Sequence, residues 1–331
     1  MPSSFSHALR VQIERWPIAG SFTISRGAKT EAAVVVAELS DGSHIGRGEC
    51  VPYARYGETV EQVAAAIEHL RPALARGLDR AALQQMLPAG AARNALDCAF
   101  WDIEAKRASR PAHALAGIEP PRPLVTAYTI SLAPPDEMAR AAEAAADRAL
   151  LKVKLGGRED RARIAMVRRA APNATLIVDA NEGWNAGNLG ENLAACAEAG
   201  VALIEQPLPD GDDAVLAGIK HPIPICADES AHDRASLPGL HGKYDAVNIK
   251  LDKAGGLTEA LAVAAEAEAA GFKLMVGCMV STSLALAPAM LVAQRAAVVD
   301  LDGALLLARD RPHGLRYEGS RVHPAASALW G

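Results

Sequence analysis

Leu150-Leu151-Lys152-Val153-Lys154-Leu155-Gly156-Gly157 reads as a short apolar strand. Alternate side chains of a strand point the same way, so Lys152 and Lys154 share a face. Two ammonium groups among apolar neighbours repel each other and lose hydration. Both effects lower a lysine pKa from about 10.4 toward the neutral range, where the free amine takes a proton. The pair therefore reads as a base. An exposed edge strand carrying lysines against aggregation fits the octapeptide as well, and the flanking sequence has to decide between them.

Acidic or lysine residues close further short apolar runs: Asp179 closes 175–179, Glu205 closes 202–205, Asp228 closes 224–228 and Lys250 closes 246–250. From Lys154 onward these endings lie 25, 26, 23 and 22 residues apart by subtraction, room for one strand, one helix and two loops. The run 124–129 precedes the series, and 273–277 and 298–302 follow it. Eight such units close a barrel, in which catalytic groups gather at the C-terminal strand ends. Asp179, Glu205 and Asp228 then point into one mouth. Without a cation they would repel and take up protons, whereas an oxygen-only triad with room for water suits Mg²⁺, or Mn²⁺ as a close substitute. Each acid taken singly also reads as a helix cap after a strand.

Lys250 lies four strands beyond Lys154, which in an eight-strand barrel is the opposite side. A metal that holds a substrate carboxylate or carbonyl stabilises the enolate formed when the adjacent carbon loses its proton. With one lysine on each face, one removes the proton and the other returns it from the opposite side, which is racemisation or epimerisation. Asp300 and Asp302 are two residues apart on the last strand. Both face one way, as a pair able to hold an ammonium group such as a free peptide N-terminus. An Asp-Gly turn with a capping aspartate is the plainer reading. Arg26, on a glycine-containing loop, is suited to pair a substrate carboxylate, or is a solvated loop arginine.

The first third of the chain has another character. Residues 11–50 alternate and are rich in Val and Ile, and Ser40-Asp41-Gly42-Ser43 makes a turn between 34–39 and 44–49, so a hairpin in a small antiparallel sheet is expected. Gly42, Gly46 and Gly48 read as turn glycines, since no strand-to-helix context for a nucleotide loop follows them. Helical spacing covers 58–75, 80–87 and 91–107, with Thr59 and Asp79 as caps. Glu119-Pro120-Pro121-Arg122-Pro123 breaks the pattern and reads as a linker.

Composition sets the compartment and the partners. The 331 residues are half hydrophobic with a net charge of -5, and no apolar run approaches the roughly 18 residues of a membrane span. Neither nucleic acid nor a membrane is an expected partner. The five cysteines (Cys50, Cys98, Cys196, Cys226, Cys278) are scattered and never Cys-x-x-Cys, and nothing before Trp16 is ordered like a secretory signal. A cytoplasmic protein with reduced thiols is expected. No two histidines stand three or four residues apart, so any metal is a hard one.

Lys152-x-Lys154, Asp179 in Asp-Ala-Asn, Glu205 in Glu-Gln-Pro, Asp228 in Ala-Asp-Glu-Ser and Lys250 in Asn-Ile-Lys-Leu-Asp-Lys together resemble the muconate lactonising subgroup of the enolase superfamily. Asp300-Leu301-Asp302-Gly303 narrows the resemblance to dipeptide epimerases, above all those acting on L-Ala-Glu. Phe22-Thr23-Ile24-Ser25-Arg26-Gly27, Gly48-Glu49-Cys50-Val51-Pro52-Tyr53 and Ala89-Gly90-Ala91-Ala92-Arg93-Asn94-Ala95-Leu96-Asp97 are similar to that family too. The resemblance implies an α/β fold: a modified TIM barrel, (β/α)7β, over 119–318. An α+β capping domain would span 1–118, with a tail at 319–331 returning to it. It implies a small dipeptide substrate, with Lys154 and Lys250 catalytic and Mg²⁺ on Asp179, Glu205 and Asp228. Arg26, Tyr53, Lys152, Cys278, Asp300 and Asp302 would lie around the substrate.

Ser281-Thr282-Ser283-Leu284 departs from the family's pattern at substrate-facing positions and leaves the side-chain preference open. A cycloisomerase, an o-succinylbenzoate synthase or an N-acylamino acid racemase would use the same lysines and metal without an evident need for Asp300 and Asp302. A Schiff-base lyase would use a single lysine. A metal-dependent binding module would leave both lysines without a use. A homo-oligomer is compatible with the sequence.

Overall fold

The computed structural model describes residues 5–331. Three antiparallel strands come first, β1 (Ala8–Ile24), β2 (Gly27–Ser40) and β3 (Ile45–Cys50), in the order β1-β2-β3. Asp41 builds the β2–β3 turn, its Oδ1 accepting the N–H groups of Ser43 (2.9 Å) and His44 (2.8 Å). Four helices follow: α1 (Val60–His69), α2 (Arg71–Ala75), α3 (Arg80–Met86) and α4 (Ala91–Ala108). Thr59 and Asp79 cap α1 and α3 through the N–H groups of Gln62 and Ala82. The single helix expected over 58–75 is instead two. The chain breaks at Leu70 because Pro72 has no N–H to continue the ladder and sits in the first turn of α2.

Only Gly42 of the three glycines read as turn residues occupies a turn, with φ +91°. Gly46 and Gly48 lie inside β3 for a different reason. A Cβ on either would stand 2.2 Å from Ala99 O or 2.1 Å from Ala95 O, so bare backbone lets α4 lie directly on the strand. Val35, Leu39, Ile67, Leu83 and Phe100 fill the core shared by this sheet and the helices.

The larger sheet has eight parallel strands: β5 (Tyr128–Ile130), β6 (Leu150–Lys154), β7 (Thr175–Asp179), β8 (Val201–Glu205), β9 (Ile225–Ala227), β10 (Ala246–Ile249), β11 (Lys273–Gly277) and β12 (Val298–Asp300). Each pairs with its sequence neighbours, as crossover helices of alternating βα units require. Between β5 and β12 the barrel is closed by single bonds: Ala127 N to Val299 O (2.8 Å), Leu301 N to Thr126 Oγ1 (2.8 Å) and Thr129 N to Asp302 Oδ2 (2.7 Å).

The expected first strand, 124–129, divides. Leu124–Val125 (β4) turns away to pair with Arg321–Val322 of the C-terminal hairpin, and Thr126 N donates to Ser320 O, so the barrel strand begins later. The chain then ends against α4, where Trp330 Nε1 donates to Cys98 O (3.0 Å) and Gly331 N to Asp102 Oδ1 (2.8 Å).

Inside the barrel, Leu150, Ile177, Leu203, Cys226, Ala246 and Met275 form an apolar floor. Two residues further along the same strands, on the same face, stand Lys152, Asp179, Glu205, Asp228 and Asn248. No helix among the described residues is long and apolar enough to cross a membrane.

Candidate active site

Lys152 and Asp228 of this polar layer, with Lys154 and Lys250 from the strand ends, line one cavity of about 760 Å³ beneath the small antiparallel sheet. Lys154 pairs with Asp179 and Asp179 with Glu205 across the ends of β6, β7 and β8, so the three side chains leave the sheet side by side. Asp228 and Lys250 follow one residue after β9 and β10. Asp179, Glu205 and Asp228 are all buried and each offers an oxygen, the three atoms within 4.8 Å of one another.

Lysines pair with every acid of the triad. Lys152 Nζ lies 3.2 Å from Asp179, 2.6 Å from Glu205 and 2.7 Å from Asp300. Lys154 Nζ donates to Asp179 Oδ2 (2.6 Å) and Lys250 Nζ to Asp228 Oδ2 (2.6 Å). Burial alone would discharge Lys152, but Asp300, Glu205 and Asp179 outweigh it and raise its pKa well above the ordinary value. Burial likewise opposes the charge of Lys250, and Asp228 and Glu205 raise it. The expectation that crowding by a second cation lowers the pair is therefore overturned for Lys152, because carboxylates surround it more closely than cations do.

The acids divide. Burial would raise Asp179, but Lys154 and Lys152 pull it to about 2. Glu205 is pushed up to about 8 by burial and by the charge of Asp179. Its Oε2 is the atom paired with Lys152 Nζ, and its Oε1 accepts from Asn248 Nδ2 at 2.7 Å. Three converging hard oxygens, crowded closely enough that burial and Asp179 push Glu205 up to about 8, fit a divalent cation such as Mg²⁺.

Asp300 and Asp302 line the same cavity as both lysines. The strand ends at Asp300, and Asp302 starts a 3₁₀ turn, so simple alternation is not what brings the two together. Asp300 Oδ1 is buried without a partner, and Asp302 is raised to about 7 by burial and then by Asp300. Cys278 lines the wall as a thiol, its pKa pushed well up by burial and the two aspartates. Phe22 brings its ring within 5.6 Å of Lys154 Nζ.

Arg26 reaches the cavity with both terminal nitrogens engaged. Nη1 donates to Asn181 O (2.8 Å) and Glu182 Oε2 (3.0 Å), and Nη2 to Tyr53 OH (2.9 Å) and Glu229 Oε1 (2.6 Å). A carboxylate that pairs with both terminal nitrogens of Arg26 must displace acceptors held there.

The expected substrate-facing stretch 281–284 is not in the cavity. Ser281, Thr282, Ser283 and Leu284 are buried, Thr282 bonds Glu49 and Arg311, and Ser283 bonds Asp310. Cys278, Met279 and Val280 form that wall instead. Residues the motifs contained but to which no role was given also enter the site. Lys253 Nζ donates to Asp228 Oδ1 (2.6 Å) and Asn248 O (3.0 Å), and Glu229 holds Arg26. The period-two step back from Lys250 was the available signal for Asn248.

Residues 7–117 match the N-terminal domain of the mandelate racemase / muconate lactonizing enzyme family, and residues 137–326 match the enolase C-terminal domain-like family. The chain belongs to this family of the enolase superfamily, and it is an isomerase of the racemase and epimerase class. It is 49% identical to an L-Ala-D/L-Glu epimerase of Escherichia coli (strain K12), over 95% of this chain and 99% of that protein. An N-acetyl-D-glutamate racemase of a Pseudoalteromonas species is 44% identical over 90% and 95%. Among solved structures, an enolase family member from Agrobacterium tumefaciens, with bound sodium and L-Ala-L-Glu, is 57% identical. It superposes with a TM-score of 0.97, covering 98% of this chain and 100% of that one. A dipeptide epimerase from Cytophaga hutchinsonii, complexed with Mg and D-Ala-L-Val, is 27% identical with a TM-score of 0.90, covering 97% and 95%.

Proposed function

We propose that the protein epimerises dipeptides, L-Ala-L-Glu to L-Ala-D-Glu foremost, at the α-carbon of the C-terminal residue. The observation that carries this reading is the placement of Lys154 and Lys250 on strands four apart around one cavity whose wall also holds the paired carboxylates Asp300 and Asp302.

Asp179, Glu205 and Asp228 would hold Mg²⁺, with Mn²⁺ as a substitute, which when bound neutralises the substrate's terminal carboxylate and makes the adjacent α-proton acidic. Lys154 and Lys250 then work on opposite faces of that carbon. The free amine of one takes the proton and the ammonium of the other delivers one, inverting the centre. Lys152, tied to Asp300 and Glu205, keeps positive charge beside the reacting carboxylate. Asp300 and Asp302 receive the N-terminal ammonium, and Arg26, beside Tyr53, is the partner of the glutamate side chain. Only the C-terminal residue has its α-carbon next to the held carboxylate, so only that centre inverts.

A second reading, racemisation of an N-acylated glutamate, is favoured by one observation: the 44% identity over 90% of this chain to an N-acetyl-D-glutamate racemase. Incubation in D₂O with Mg²⁺, read by mass and chiral separation, compares L-Ala-L-Glu with N-acetyl-L-glutamate. Faster deuterium uptake and inversion of the dipeptide supports the epimerase, preference for the acetylated amino acid supports the racemase, and no exchange in either removes both.

A further inference from the structure

The motif Arg93-Asn94-Ala95-Leu96-Asp97 lies near the start of α4, outside the cavity, yet Arg93, Asn94 and Asp97 are all buried. Its partners are the residues that follow Lys250. Lys250 is the N-cap of the one-turn helix Leu251–Ala254, and its carbonyl accepts the N–H groups of Lys253 (3.1 Å) and Ala254 (3.0 Å). One residue into that helix, Asp252 Oδ1 accepts from Asn94 Nδ2 (2.8 Å) and from Val51 N (2.9 Å). At its end, Arg93 donates Nη2 to Ala254 O (2.7 Å) and Nε to Gly255 O (3.1 Å). Beyond it, Asp97 accepts from Thr258 N (2.9 Å) and Thr258 Oγ1 (2.6 Å). The fit leaves no slack, since a Cβ on Gly255 would stand 2.5 Å from Arg93 Nε and one on Gly256 2.5 Å from Asp97 Cβ.

We infer that Arg93, Asn94 and Asp252 are positioning residues for Lys250: the N-terminal helical layer clasps the turn that carries this lysine and fixes where its amine sits over the substrate. The inference rests on the two-base reading above. Lys154 has no such clasp, because the turn after it is held within the barrel by Asp160, which accepts from Gly156 N and Gly157 N. The clasp therefore acts on one face of the reaction. An ångström of freedom at Lys250 slows proton transfer on its own side and leaves the other untouched.

The test measures α-proton exchange in D₂O from each epimer of Ala-Glu separately, in Asn94→Ala and Asp252→Ala, with Lys154→Ala and Lys250→Ala run in parallel to assign the faces. Either clasp variant should lose about tenfold or more in kcat for the isomer whose proton faces Lys250, and about twofold or less for the other. Asp252→Asn retains the accepting oxygen and should restore the wild-type ratio. If Asn94→Ala fails to fold, Arg93→Lys, which cannot span both carbonyls, is read the same way. Equal slowing of both isomers, or none, overturns the clasp. If the two lysine variants themselves show no opposite preference, the two-base reading falls instead, so the two failures are distinguishable.

Discussion

Lys154 and Lys250 stand four strands apart in the barrel order, and each ammonium lies 2.6 Å from a different acid of the triad, Asp179 for one and Asp228 for the other. Lys154→Ala and Lys250→Ala should each lower epimerisation by about 10² to 10⁴-fold, the usual worth of a placed acid or base. Each variant should still exchange the α-proton of one isomer, a different one in each. Wild-type epimerisation by either would remove that lysine from the chemistry.

Burial and the charge of Asp179 push Glu205 up to about 8, while a cation needs the carboxylate. Mg²⁺ binding at pH 7 should therefore release protons, and affinity should rise with pH up to about 8. Calorimetry in buffers of different ionisation enthalpy measures the release. Chelation should abolish turnover, and Asp228→Asn should lose the rise in Tm that Mg²⁺ gives. Metal affinity independent of pH between 6 and 8 would argue against Glu205 as a ligand.

Burial and the neighbouring charge of Asp300 hold Asp302 at about 7. Below that pH it is neutral and a poor partner for an ammonium, so KM for L-Ala-L-Glu should fall as pH rises through about 7. The double change Asp300→Asn with Asp302→Asn should raise KM steeply, since each charge-assisted bond is worth about 1.5 to 3 kcal/mol. Steady-state kinetics from pH 6 to 8 decide the matter, with a flat KM counting against the clamp.

Arg26→Ala should cost L-Ala-L-Glu about ten- to a hundredfold in kcat/KM and L-Ala-L-Leu far less, since only the former presents a second carboxylate. Equal losses would mean that Arg26 only ties its loop to Asn181, Glu182 and Glu229.

Gly48→Ala should lower the Tm without altering the chemistry of the molecules that remain folded. Its Cβ would meet Ala95 O at 2.1 Å, and overpacking of this kind costs about 1 to 3 kcal/mol or more. Thermal melting of the two proteins side by side measures the cost, and an unchanged midpoint would mean that α4 yields easily.

The strand-end acids and lysines were legible because a period of two and a near-constant repeat are local properties of the chain, and a barrel turns them into neighbours. What escaped depends on partners far away in sequence. Leu124 and Val125 look like the start of a barrel strand until Arg321 and Val322 pair with them. Gly46 and Gly48 look like turn residues until α4 is laid on β3. Thr282 and Ser283 look like cavity residues until Glu49, Arg311 and Asp310 draw them inward. Lys253 and Glu229 lay within quoted motifs, but their roles come from Asp228 and Arg26, which only the closed barrel brings to them.

The bonds that close the barrel between β5 and β12 include one from Thr129 N to Asp302 Oδ2. The carboxylate that would grip the incoming ammonium is thus also a stave-joint of the barrel, so recognition and mechanical closure share one side chain. Altering the head group this site accepts is then unequal work at its two acids. Asp300 can be exchanged at the expense of its bond to Lys152, whereas any apolar residue at 302 strands a buried backbone N–H and loosens the joint itself.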